Sequence, residues 1–215
     1  MIMKLPDKFN MRGVEVKDSI LKIYKRDRFE DLMYELTYAT KHCWKCVYCG
    51  KKLNKKNRTL DHGYPRDAGG ISITNNLYPS CANCNSQKSN LTQEEFWEYT
   101  QMTKKEKKRY IKEIEQEREK VRRKTGFKLP KKWVEYLPIG LIKYEDPSQY
   151  CRGKKYCRIV EFYYKYKKIP KPIIVDKNYN LLDGYNVIVF SREFGIKKIP
   201  TIVLENVELV TKSAE

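Results

Sequence analysis

Histidine is nearly absent from this chain, with two residues in 215. Acidic side chains are scarce beside basic ones, 27 Asp and Glu against 45 Lys and Arg, a formal net charge of +18. An excess of this size on a short chain is the electrostatic footprint of a polyanion binder. No apolar run approaches the ~20 residues of a spanning helix, which excludes a membrane-spanning protein. The opening "MIMKLPDKFNMRGVEVKD" lacks a secretory apolar core and a small-residue cleavage site, so the expected setting is the cytoplasm. No internal repeat is apparent.

What is present is cysteine, tyrosine and charge. In the cytoplasm disulfides are rare, and the paired cysteines read as metal ligands. Most of the 17 tyrosines read as strand and surface aromatics, with base stacking as the alternative. The length fits one large domain or two small ones.

Along the chain, Phe29, Leu32, Met33, Leu36 and Tyr38 follow helical spacing and predict an amphipathic helix, so residues 1–40 read as a helical extension. Residues 41–92 are loop-rich and poor in aliphatic side chains, a unit that needs a metal to hold it together. "TQEE" at Thr92 and "TKKE" at Thr103 are capping-box patterns that open two helices. The second runs to Lys124 with sparse apolar positions (Tyr110, Ile111, Ile114, Val121) and a favourable Glu119–Arg123 pair. Residues 93–130 are therefore expected to form an exposed, charged helical linker, broken by Gly126 and Pro130. In residues 131–215, "KPIIVD" and "IPTIVLENVEL" read as strands among helical stretches, an α/β unit. The overall class is α+β.

"CVYC" spaces Cys46 and Cys49 as a metal knuckle, and "CANC" does the same for Cys81 and Cys84. Four thiolates are the ligand set of a structural zinc site. "CWKC" offers Cys43 with Cys46 as an alternative first pair; the later pair is preferred because Gly50 follows it. The interval between the knuckles exceeds that of a plain zinc ribbon, so something else is folded inside it.

That insert contains "TLDHGYPRDAGGISITNN", residues 59–76. Asp61 and His62 are neighbours, so on a strand they point to opposite faces unless a bulge or strand end brings them together. Pro65 with Gly69 and Gly70 predicts the returning turn, and "NNL" at 75–77 an anchor for that loop. "NSQKS" then begins a helix that carries Asn85 and Lys88 one turn apart. A histidine base, Asp and Asn as hard oxygen ligands, and a lysine near phosphate make a metal-assisted phosphodiesterase site. A structural histidine in an ordinary turn is the bland alternative. His42 carries no such pattern and reads as a surface or packing residue.

Over residues 43–90 these motifs resemble the HNH endonuclease family, whose fold is a ββα-metal unit, here with zinc knuckles. The resemblance implies His62 as the general base that activates water and Asp61 as a ligand of the catalytic divalent metal. It implies Asn76 as the residue that holds the loop and the histidine, and Asn85 as the second metal ligand. With Asn85 in place of an imidazole, hard ions (Mg²⁺ or Mn²⁺) are favoured over softer ones. Zinc on Cys46, Cys49, Cys81 and Cys84 would be structural.

Residues 171–205, extended to 133–210, resemble the ParB/sulfiredoxin-like fold, in which a "DG" turn at a helix N-terminus cradles phosphate. Here "DGYNVIV" puts Val187 where that family has Arg, which speaks against nucleotide binding, while Asp183, Gly184 and Asn186 remain as a polar turn. Cys151 and Cys157 lack knuckle spacing and read as free thiols. The expected function is a metal-dependent DNA endonuclease, a phage or bacterial homing-type or restriction-type enzyme or nickase, with DNA and no membrane as partner. The rivals are a non-catalytic zinc-containing DNA-binding protein and a nuclease switched by nucleotide. Oligomeric state has no signal in the sequence.

Overall fold

The structure, a computed structural model, describes residues 1–3, 5, 6, 9, 14–24, 29–41, 43–145 and 153–210. In chain order its elements are β1 (Val14–Lys17), β2 (Ile20–Ile23), α1 (Phe29–Thr40), β3 (Arg58–His62), β4 (Leu77–Cys81), α2 (Ala82–Lys88), α3 (Gln93–Thr100) and α4 (Lys104–Lys124). There follow β5 (Glu135–Pro138), α5 (Lys154–Tyr166), β6 (Ile173–Asp176), β7 (Leu181–Asp183), α6 (Tyr185–Glu193), β8 (Lys198–Leu204) and β9 (Val207–Leu209). His42 and Cys151 lie outside the described residues. Two compact units result, one of Met1–Leu32 with Pro130–Glu215, the other of Met33–Leu129.

The first unit contains two sheets. One has strand order β5-β8-β6-β7, with β6 and β8 parallel and the outer pairs antiparallel. Helices α5 and α6 complete a core of Ile159, Ile173, Val175, Val187, Ile188, Phe190 and Ile199. Every residue of β6 is buried, as expected of a β-branched run in a central parallel pair. The second sheet, β1-β2-β9, corrects the reading of residues 1–40 as wholly helical. Val14 to Ile23 form a hairpin whose turn residues Asp18 and Ser19 both have positive φ, 51° and 61°. Its exposure alternates in period two, a strand signal that sits immediately before the helical spacing of α1. Strand β9 pairs parallel with β2, Val207 opposite Leu21, although most of the chain lies between them.

The turn into α6 needs its glycine. Gly184 has φ +110°, and a Cβ there would lie 2.6 Å from the Ile173 side chain. Val187 is fully buried in the core and so is a packing residue of α6. Asp183 pairs with Lys171 at 3.3 Å, and Cys157 is an exposed free thiol.

The second unit begins with most of α1 and is built around the antiparallel pair β3–β4, followed at once by α2. Its apolar cluster is Cys46, Leu53, Cys81, Cys84, Leu91, Phe96 and Ile114. Both expected capping boxes form, with Thr92 and Thr103 accepting from the backbone N–H of Glu95 and Glu106. Arg123 meets Glu119 at 2.9 Å, as the spacing predicted. Helix α4 is a packed part of this unit, where an exposed linker was expected. It buries Ile114 and Arg118, and burial of a charged residue leaves no trace in a hydrophobic pattern. No helix among the described residues is long and apolar enough to cross a membrane.

Candidate active site

The hairpin register runs without a shift from Arg58 opposite Cys81 to His62 opposite Leu77. There is no bulge, so Asp61 and His62 stay on alternate faces, both at the strand end next to the loop of residues 63–76. Cys81 ends β4 and caps α2 with its sulfur. Strand, strand and helix are thus set in one continuous frame.

Asn76 closes the loop. It is fully buried; its Oδ1 accepts from the Tyr64 N–H at 2.8 Å, and its Nδ2 donates to the carbonyls of Tyr64 (3.0 Å) and Ile71 (2.9 Å). Its own carbonyl accepts from the Gly63 N–H at 2.8 Å. A side-chain amide is suited to this because it donates and accepts at once. The loop's tight reversal also requires Gly70, where a Cβ would sit 1.8 Å from the Tyr64 carbonyl oxygen. The loop brings Ser72 to the imidazole: His62 Nε2 and Ser72 Oγ are 3.0 Å apart. His62 itself is half-buried.

Asp61, on the other face, is 4% exposed. The Lys88 ammonium lies 3.2 Å from its Oδ1 and 3.1 Å from its Oδ2, and the Tyr48 hydroxyl donates to Oδ2. Burial pushes the Asp61 carboxyl up against the pull of Lys88 and Tyr48, and pushes the Lys88 ammonium down. Burial also drives the Tyr48 phenol far up, with the Asp61 charge adding to it, so the hydroxyl stays a donor. Lys88 also donates to the His62 carbonyl at 2.8 Å and is fully shielded from water. The sequence reading set Lys88 near phosphate; in the structure it faces inward and holds the Asp61–His62 strand end.

Asn85, half-buried on α2, donates through Nδ2 to Thr59 Oγ1 at 3.2 Å. Thr59 is two residues before Asp61 on β3, so Asn85 and Asp61 belong to the same face of the hairpin. One carboxylate and one amide oxygen there are hard donors of the kind Mg²⁺ and Mn²⁺ accept. Lys88 already neutralises part of the carboxylate charge, which makes such a site a weak one.

The sulfurs of Cys46, Cys49, Cys81 and Cys84 all lie within 4.8 Å of one another, compatible with a tetrathiolate zinc site. Cys43 is outside this group, its thiol against the Thr37 carbonyl, so the first knuckle is Cys46 with Cys49. Burial opposes ionisation of Cys46, but nearby backbone N–H groups outweigh it and bring its thiol down to about 7. Burial and its neighbours drive Cys84 the other way. A divalent cation bound among the four sulfurs would favour the thiolate at each.

Sequence reasoning missed the outer support. Glu95, in the capping box of α3, accepts from the Thr92 N–H (2.7 Å), Arg118 (2.8 Å) and Lys128 (3.0 Å). Asp67, in the loop after His62, meets Arg122 at 2.6 Å and Arg118 at 3.6 Å. The Lys128 N–H donates to the Ala68 carbonyl at 2.8 Å. Helix α4 therefore fastens the loop that carries Ser72 to His62. The capping-box pattern gave Glu95 a local role, but nothing in the sequence pairs it with residues more than twenty positions away.

Residues 46–99 match the family model described as HNH endonuclease. Comparison with curated proteins finds no match. Among solved structures, a C2221 crystal form of a Pnob8-like ParB-N domain aligns at 22% identity with a TM-score of 0.29. That alignment covers 33% of this chain and 28% of the other, too little to establish a shared fold. The stretch that holds the four clustered cysteines, Asp61, His62, Asn76 and Asn85 is thus an HNH endonuclease domain by its match to that family, within a longer chain.

Proposed function

We propose that this chain is a metal-dependent endonuclease that hydrolyses DNA phosphodiester bonds. The observation that carries the reading is His62 at the end of β3, held by Ser72 from a loop that Asn76 closes, with the Asp61 carboxylate of β3 and the Asn85 amide of α2 on the other face of the same strand end. His62 takes the proton of the attacking water, and the loop fixes the imidazole in place for that transfer. Asp61 and Asn85 would hold Mg²⁺ or Mn²⁺, which when bound stabilises charge on the leaving oxygen. Asn76 and Lys88 hold the strand end and the loop. Zinc on the four cysteines takes no part in the reaction.

The net charge of +18 supports DNA as the polyanion, and a single HNH site supports nicking of one strand per encounter. A phage or bacterial homing or restriction role fits such an enzyme. Conversion of supercoiled plasmid to the open circle, with Mg²⁺ or Mn²⁺ and without, tests the reading; no metal-dependent nicking at any ion concentration would refute it.

A second reading draws on the Asp61–Lys88 pair. A carboxylate already matched by a buried ammonium suits a scaffold, so the same unit could bind DNA without cutting it. The plasmid assay separates the two. A nucleotide switch in the other unit is disfavoured by burial of Val187, and ATP or CTP is expected to leave cleavage unchanged.

A further inference from the structure

Both grips on Asp61 come from the cysteine knuckles. Tyr48 lies inside the first, between Cys46 and Cys49, and its hydroxyl donates to Asp61 Oδ2. Lys88 lies one helical turn after Cys84 of the second and reaches both carboxylate oxygens. The Tyr48 ring has separate support, edge-on to Phe96 at 5.0 Å and tilted against Trp97 at 6.0 Å. Ring packing would be served equally by phenylalanine. The hydroxyl is the part that reaches the carboxylate, and it does so from a loop whose shape the thiolate cluster sets.

We propose that Tyr48 is a positioning residue for catalysis: its hydroxyl orients the Asp61 carboxylate toward the divalent cation, and the zinc knuckle holds the hydroxyl in place. This rests on the nuclease reading above. A carboxylate gripped by both a hydroxyl and an ammonium has few rotamers open to it, so the orientation in which it meets a cation is the one Tyr48 and Lys88 set. Without the hydroxyl, the Asp61 carboxylate keeps Lys88 and the His62 backbone N–H but loses the partner that fixes its Oδ2 from the first knuckle. Outer partners of a metal-binding carboxylate typically contribute about 10- to 100-fold in ion affinity or activity. The tetrathiolate site then has a consequence beyond folding, since disturbing the first knuckle loosens the catalytic ligand.

The test is Tyr48→Phe in the full-length chain, which keeps the ring contacts. Zinc content and thermal midpoint are measured first and should stay close to the parent. Mn²⁺ affinity, read without DNA by the loss of the free-ion paramagnetic resonance signal, should fall roughly 10- to 100-fold. In nicking assays at fixed Mn²⁺, kcat should fall with KM for DNA unchanged, and higher Mn²⁺ should recover part of the loss. Parent-like Mn²⁺ affinity and kcat in a folded, zinc-loaded Tyr48→Phe would overturn the inference and leave the nuclease reading standing. A parent chain that neither nicks DNA nor binds Mn²⁺ would overturn both.

Discussion

Arg118 and Glu95 form an ion pair at 2.8 Å in which the side chains are only 6% and 8% exposed. The pair joins α4 to α3, and Lys128 reaches the other oxygen of the same carboxylate at 3.0 Å. Loss of Arg118 would remove one charged hydrogen bond from Glu95 while Lys128 and the Thr92 N–H still hold its carboxylate, at a cost of about 1.5–3 kcal/mol. Arg118→Ala should therefore destabilise the Met33–Leu129 unit by that order in chemical denaturation. The pH dependence has a definite sign. Burial alone would raise the Glu95 carboxyl, but the Thr92 N–H, Lys128 and Arg118 outweigh it and hold it below the ordinary glutamate value of 4.5. A depressed carboxylate contributes stability that is present above its unfolded value and lost as pH falls through the folded one. Glu95→Gln should thus be less stable than the parent at neutral pH, with the gap closing below about pH 4. Zinc loss in acid is common to both chains, so their difference isolates Glu95.

His62→Ala should lose most of the nicking activity, ~10²–10⁴-fold, as general-base catalysis typically supplies that much. DNA affinity should hardly change, because a base acts in the transition state. Gel-shift titration beside the plasmid assay checks both; undiminished nicking by the purified variant would remove His62 from the base role.

Asn76→Ala leaves the Tyr64 N–H and the Tyr64 and Ile71 carbonyls without their side-chain partner. Stranded buried groups cost about 1–3 kcal/mol each. Asn76→Asp should be at least as harmful despite its shape, because a carboxylate faces two carbonyl oxygens. Thermal denaturation should show the loss in both variants, and nicking should fall further than stability at temperatures where the variants stay folded.

One zinc per chain should survive chelation that strips the catalytic ion, since four thiolates hold it. Cys81→Ser should fold poorly, because that cysteine is one of the four clustered thiols, a strand end and the cap of α2 at once. Elemental analysis and circular dichroism check this; fully active protein with no zinc would contradict it.

Lys104, Lys108 and Lys112 are exposed and follow i, i+4 spacing on α4. Replacing all three by Ala should flatten the salt dependence of DNA binding, by about 0.9 in log K per log salt for each phosphate the protein no longer neutralises. Affinity measured across a salt series decides this; an unchanged slope would mean that this face of α4 does not meet DNA. A truncation before α4 is a poor substitute, because it removes Ile114, Arg118 and Lys128 and with them the support of the site.

The sequence by itself determined the parts of this protein whose signals are local. Knuckle spacing named Cys46, Cys49, Cys81 and Cys84; capping boxes named the starts of α3 and α4; and the order of Asp61, His62, Asn76 and Asn85 laid out the strand, loop and helix. Each rests on interactions between near neighbours, or on a metal whose ligand pattern is written in the spacing. Tertiary structure alone decided the rest. It put β9 beside β2, so that the two ends of the sequence share a unit, and it turned α4 from a linker into a buttress. It moved Lys88 from a phosphate contact to a buried grip on Asp61 and added Tyr48 to that grip. Such pairings join charged or polar groups across 13 to 33 positions, as Tyr48–Asp61, Arg118–Glu95 and Lys128–Glu95 do. Hydrophobic periodicity carries no record of them, because a buried charge looks in sequence like one that faces water.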